Sequence, residues 1–111
     1  MTDALNNNME KANKAFNEVN FTVFENGANL IKQLLEIQNP VPEVEHEIER
    51  KIEYEVQDMT TLYNMLEKNN YKDIDGLKKT IKGLMKQINS NENVKNYIEE
   101  DILKEFELRG N

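Results

Sequence analysis

Cysteine and tryptophan are absent from this 111-residue chain, and histidine and serine occur once each. Without cysteine there is no disulfide framework, no thiolate zinc site and no thiol nucleophile. The only histidine, His46, is far along the chain from the only serine, Ser90, and a positioned Ser–His pair is what nucleophilic catalysis requires. We therefore expect no catalytic residues, no cofactor and no enzymatic activity.

Long apolar runs are also absent. No stretch approaches the 18 consecutive apolar residues that typically cross a membrane. The first eight residues lack the basic region and the apolar run of a signal peptide. We therefore expect a cytoplasmic protein that does not contact membranes.

The sequence offers only fragments of metal-binding motifs. Glu43 and His46 have the Glu-x-x-His spacing of di-iron helical bundles, but such sites need a second pair of this kind and the chain has no second histidine. The segment Asp73-Ile-Asp75-Gly76 resembles the start of a calcium loop but lacks the glutamate that ends one, and Asp73 or Asp75 is better explained as a helix cap. No metal site is predicted.

The apolar residues that are present recur at helical spacing, and no segment alternates with a period of two. Polar or proline-containing breaks fall near residues 39–42, 69–75 and 89–92. Short connections make neighbouring helices antiparallel. The sequence therefore predicts a single all-α domain over residues 1–111, an antiparallel bundle of about four helices with a long N-terminal helix.

The clearest periodicity is an N-terminal heptad seam with successive spacings of four and three residues. Its members are Leu5, Met9, Ala12, Phe16, Val19 and Val23. Beyond them the apolar pattern shifts phase at Asn26-Gly27, which indicates either a break into two helices or, as we favour, one long helix with a kink. A seam of this kind usually packs on another helix, so we predict a homodimer or higher oligomer through these residues.

Negative charge is concentrated in one segment of a chain whose net charge is −7. Residues 36–58 hold eight acids against Arg50 and Lys51. Within them Glu45, Glu49 and Glu53 form a ladder on one helix face, with few lysines in reach on the neighbouring predicted helices. The ladder is either a solvated face or a docking surface for a basic protein partner. The net charge argues against direct binding of nucleic acid, despite a row of lysines at residues 78, 79, 82 and 86.

Two aromatic residues, Phe21 and Tyr54, fall off the apolar stripes and are candidate partner-binding anchors. Together with the acidic ladder they indicate a small non-catalytic adaptor, inhibitor or regulator. The 17 asparagines and four alanines are typical of AT-rich coding, as in a low-GC bacterium, a phage or a plasmid. An acidic mimic of nucleic acid that occupies a DNA-binding protein is an alternative.

A second alternative depends on a short motif. The segment Tyr97-Ile-Glu-Glu-Asp101 resembles the Tyr-x-x-x-Asp/Glu signal of small helical hairpins exported by type VII secretion systems. Their Trp-x-Gly turn is replaced here by Asn-Pro-Val-Pro. The resemblance implies an exported helical-hairpin protein.

Overall fold

The computed structural model describes residues 2–111, with side chains described from Asn7 onward. The described chain forms five α-helices and no strands: α1 (Thr2–Glu36), α2 (Pro42–Lys68), α3 (Ile74–Asn89), α4 (Glu92–Tyr97) and α5 (Glu100–Gly110). The all-α fold and the long N-terminal helix are therefore confirmed. Three of the four breaks between helices lie where the polar and proline-containing segments predict them.

The loops follow from local chemistry. Asn39 adopts a left-handed backbone (φ 50°), which asparagine tolerates better than most residues, and Pro42 is the first residue of α2. At the start of α3 the Asp73 carboxylate accepts a hydrogen bond from the Gly76 N–H at 3.1 Å. Asn91 caps α4 in the same way, accepting from the Val94 N–H at 3.2 Å. These side chains satisfy backbone donors that a helix N-terminus leaves free.

The phase shift at Asn26-Gly27 is not a break, since α1 is continuous through both residues. It arises because α1 carries two apolar stripes on different faces. One stripe packs into the bundle and consists of Phe21, Phe24, Ala28, Ile31 and Leu35. The other contains the exposed seam residues Met9, Phe16, Val19 and Val23. Two overlapping stripes read along one sequence look like a single stripe that changes phase.

The last apolar stripe, predicted as one helix, forms two. Ile98 and Glu99 have extended backbones (ψ 132° and 138°) and separate α4 from α5. Apolar residues spaced strictly by four, as from Val94 to Phe106, drift around a helix of 3.6 residues per turn. The break changes the direction of the chain between α4 and α5, so that Val94, Ile98 and Phe106 are all buried.

One hydrophobic core includes residues from all five helices. α1 and α2 run antiparallel, since Gly27 faces Glu55 and Met59 while Asn17, nearer the N-terminus, hydrogen-bonds the Asn69 carbonyl at 3.2 Å. α3 packs against α1 and α5, and α5 also packs against α2. The molecule is elongated, 61 × 24 × 19 Å, because α1 extends beyond the other helices.

Candidate functional site

Two members of the acidic ladder, Glu45 and Glu49, lie beside the start of α4, and only part of the ladder is open to solvent. Glu49 is 6% exposed, and its Oε2 lies 3.8 Å from His46 Nδ1. Glu45 accepts a hydrogen bond from the Asn93 Nδ2 at 2.6 Å, and Glu53 is half-buried. The expectation of three carboxylates on an open face is therefore corrected. Glu49 lines a narrow cleft between α2, the end of α1 and the start of α4, together with Leu34 and Val94, so its carboxylate is largely closed to a partner.

Phe21 is also placed differently from the expectation. Its ring is half-buried and stacks on the ring of Tyr71, with centroids 5.5 Å apart and planes at 19°. An offset stack of this kind stabilises the contact between α1 and the loop that follows α2. Phe21 therefore belongs to the bundle and is not an exposed anchor.

Tyr54 is the most exposed aromatic residue in the part of the chain that the structure describes, at 67%. It borders a shallow depression of about 440 Å³ between α1 and α2. Leu30 of α1 lies at the other side of this depression, and the remaining lining residues are Glu47, Arg50, Lys51 and Glu55. Arg50 is paired with Glu47. The result is a small apolar surface with charged residues at its rim, which we call the Tyr54 surface.

Glu55 contributes an electrostatic feature to this surface. Partial burial raises the pKa of its carboxyl above the usual value, and the nearby Asp58 carboxylate raises it further. The Glu55 carboxylate also faces Gly27, at which a Cβ atom would lie 2.9 Å from Glu55 Oε2. The close approach of α1 and α2 at this point accounts for the burial.

The heptad seam faces solvent. Among the described side chains, Met9, Phe16, Val19 and Val23 are each between 40% and 63% exposed. The Leu5 side chain lies outside the described residues. The stripe continues at seven-residue spacing through Leu30 to Ile37, just past the end of α1, and both of these are also at least a third exposed. From the sequence, the seam was expected to end at the phase shift at Asn26-Gly27.

The residues of the metal-binding and export-signal fragments are dispersed in the part of the chain that the structure describes. His46 is exposed, and no group of three or more His, Cys, Asp or Glu side chains is arranged to hold a metal ion there. Nor does the described part of the chain contain a helix long and apolar enough to cross a membrane. Tyr97 and Asp101, the ends of the motif that resembles an export signal, fall on different helices, with Ile98 and Glu99 extended between them. The Tyr54 surface and the seam both expose large apolar side chains to solvent.

No protein-family model matches this sequence, and neither curated proteins nor solved structures show significant similarity to it.

Proposed function

We propose that this protein is a non-catalytic protein-binding module, an adaptor or inhibitor, whose docking site is the Tyr54 surface. The observation that carries the proposal is the exposure of Tyr54 beside Leu30 at a depression between α1 and α2. Tyrosine is enriched among residues that dominate interface energies, because its ring buries a large apolar area and its hydroxyl can still bond.

The charge around this surface indicates the chemistry of the partner. The segment 36–58 carries a net charge of −6, and its residues Glu36, Glu43 and Glu47 are exposed. The rim itself holds two acids and two bases, so the excess negative charge of α2 lies outside it. The partner is therefore a segment that places an apolar side chain between Leu30 and Tyr54 and lysine or arginine side chains toward the exposed acids of α2 beyond the rim. Arginine would also stack on the Tyr54 ring.

The test compares Tyr54→Ala with Leu108→Ala, which truncates an exposed apolar residue on α5 (59% exposed). Each tagged protein is used to capture partners from the native host, and a captured protein is then purified for direct binding measurements. We expect Tyr54→Ala to weaken that binding at least tenfold and Leu108→Ala to leave it unchanged. Added salt should weaken binding to the unaltered protein, because exposed charges are screened.

Equal binding by both variants and by the unaltered protein would contradict the proposal. Reversing the whole acidic ladder is a poor test, since a lysine at position 49 would be buried without a counter-charge and would destabilise the bundle. Reversal of the exposed Glu43 and Glu47 tests the electrostatic part of the proposal without that defect.

A further inference from the structure

The described N-terminal part of α1 contributes no side chain to the hydrophobic core, although Glu10, Asn13 and Lys14 line an open groove with the loop that follows α2. Every side chain from Asn7 to Phe16 is exposed, and we call residues 7–16 the arm. Helices in proteins owe most of their stability to packing of an apolar face, and short helices are marginal alone in water. The arm has such a face, since Met9, Ala12 and Phe16 lie on the seam that Val19 continues.

The seam is flanked by uncharged residues on both sides. The positions next to it hold Asn13 and Asn20 on one side and Asn8, Ala15 and Thr22 on the other. In two-helix coiled coils these flanking positions usually carry the charges that select a partner. Here the charged residues of the segment 7–23 lie on the remaining faces of the helix, and their charges sum to zero. They are Glu10, Lys11, Lys14 and Glu18.

This neutrality contrasts with the rest of the chain. Residues 1–23 hold three acids and two lysines, so residues 24–111 carry −6 of the net charge of −7. A basic or acidic partner would find no complementary charge along the seam, whereas a second copy of this chain meets no repulsion there. The seam is thus suited to self-association. The rest of the molecule, residues 24–111, which we call the body, is not, because its net charge would repel a second copy.

We propose that two copies of this chain pair through the seam as an antiparallel two-helix dimer. With the twofold axis near residue 14, Ala12 lies opposite the second copy's Phe16, and Met9 lies opposite the second copy's Val19. Each layer then combines a larger with a smaller side chain, as close packing requires. A parallel pairing would place Ala12 on Ala12 and Phe16 on Phe16, leaving one layer loose and the next crowded.

Antiparallel pairing also separates the two acidic bodies. At a rise of about 1.5 Å per residue, the two copies of Ile31 would be roughly 50 Å apart, several times the Debye length of about 8 Å at physiological ionic strength. Parallel pairing would place the bodies side by side and their charges in repulsion. The paired segment, residues 8–20, is only about 18 Å long, so the dimer should be weak and depend on concentration.

Sedimentation equilibrium over a range of micromolar concentrations tests the pairing. We expect the 13.0 kDa chain to approach twice its mass as concentration rises. Phe16→Asp should remain monomeric over the same range, because pairing would bury an unpaired carboxylate. Leu108→Asp, which makes the same charge change at an exposed site on α5, should dimerise as the unaltered chain does. A monomeric unaltered chain at every concentration would overturn the proposal.

Cross-linking tests the orientation, and the absence of native cysteine makes any introduced thiol unique. A mixture of Met9→Cys and Val19→Cys chains should form a disulfide between the two variants on mild oxidation. Val19→Cys alone should not cross-link, since its two copies would lie about 15 Å apart along the paired helices. Efficient cross-linking of Val19→Cys alone would indicate parallel pairing and contradict the proposal. Neither result bears on the Tyr54 surface, because Leu30 and Tyr54 both lie outside the paired segment.

Discussion

Gly27 and Gly83 both lie inside helices but differ in their surroundings. A Cβ at Gly83 would meet nothing within 4 Å, whereas one at Gly27 would lie 2.9 Å from Glu55 Oε2 and 3.4 Å from Met59 Cγ. Gly83 thus weakens α3 with no compensating contact. Gly27 allows α1 and α2 to approach, and the atom it faces most closely is the mobile end of a side chain.

We expect Gly83→Ala to raise the free energy of unfolding by about 0.5–1 kcal/mol, the usual gain from replacing glycine inside a helix. Gly27→Ala should gain less, because the Glu55 carboxylate must move aside. Gly27→Leu should lower stability by forcing the helices apart. Urea denaturation of the three variants checks these expectations, and a gain from Gly27→Leu would show that α1 and α2 are not closely packed there.

The raised pKa of Glu55 predicts a pH dependence of stability. Because the folded-state pKa lies above the unfolded value, the folded state binds more protons, so protonation of Glu55 adds to the free energy of unfolding at low pH. This stabilisation is lost as the pH rises through and above the usual value of 4.5. Glu55→Gln should remove this loss. Between about pH 4 and pH 7 the unaltered protein should therefore lose stability relative to the variant.

Denaturation by urea at several pH values measures the difference. Glu107→Gln, which removes the charge of an exposed glutamate on α5, is the matched control and should follow the unaltered protein. If Glu55→Gln and the control gave parallel curves, burial of Glu55 would have no consequence for folding.

Among the helices, α5 is short and depends on one buried aromatic ring. Phe106 is fully buried and lies in the common core, while Leu108 on the same helix is 59% exposed. We expect Phe106→Ala to lower the free energy of unfolding by about 3–5 kcal/mol through lost burial and a cavity. Leu108→Ala should change it by no more than about 0.5 kcal/mol. Similar effects from both variants, measured in urea, would mean that α5 is not part of the cooperative unit.

The sequence predicts helices better than it predicts which helix face packs inward. Pro40, Pro42, Asp73 and Asn91 mark where helices end or begin, because each has a local backbone effect. The break at Ile98 has no such residue, and only packing against the core accounts for it. Nor could periodicity decide between the two stripes of α1, since both have heptad spacing.

The sequence predicted only part of the candidate site, because exposure depends on tertiary packing as well as on local position. Tyr54 is exposed as expected, because its position off the stripe is a local property of α2. Phe21 and Glu49 were wrongly expected to be open. Their surroundings, Tyr71 and helix α4, come from distant parts of the chain and are set by the tertiary fold. Their roles could not be derived from spacing alone.

For the whole molecule, the arm should be dispensable for folding. Removing residues 1–16 leaves the Asn17–Asn69 hydrogen bond and the entire core in place. At low protein concentration we expect the truncated chain to unfold in urea within about 0.5 kcal/mol of the full chain. It should not self-associate at any concentration tested. A large loss of stability would mean that the arm folds back on the bundle in solution.

The exposed arm has a consequence for amide hydrogen exchange. In a lone molecule the peptide N–H groups of residues 7–16 are held only by the hydrogen bonds of a single solvated helix, so local opening should be frequent and their exchange fast. The core helices should exchange far more slowly at every concentration. If copies pair through the seam, protection of the arm rises with protein concentration while that of the core does not. Deuterium uptake by one short N-terminal peptide would then report how much of the protein is paired at a given concentration.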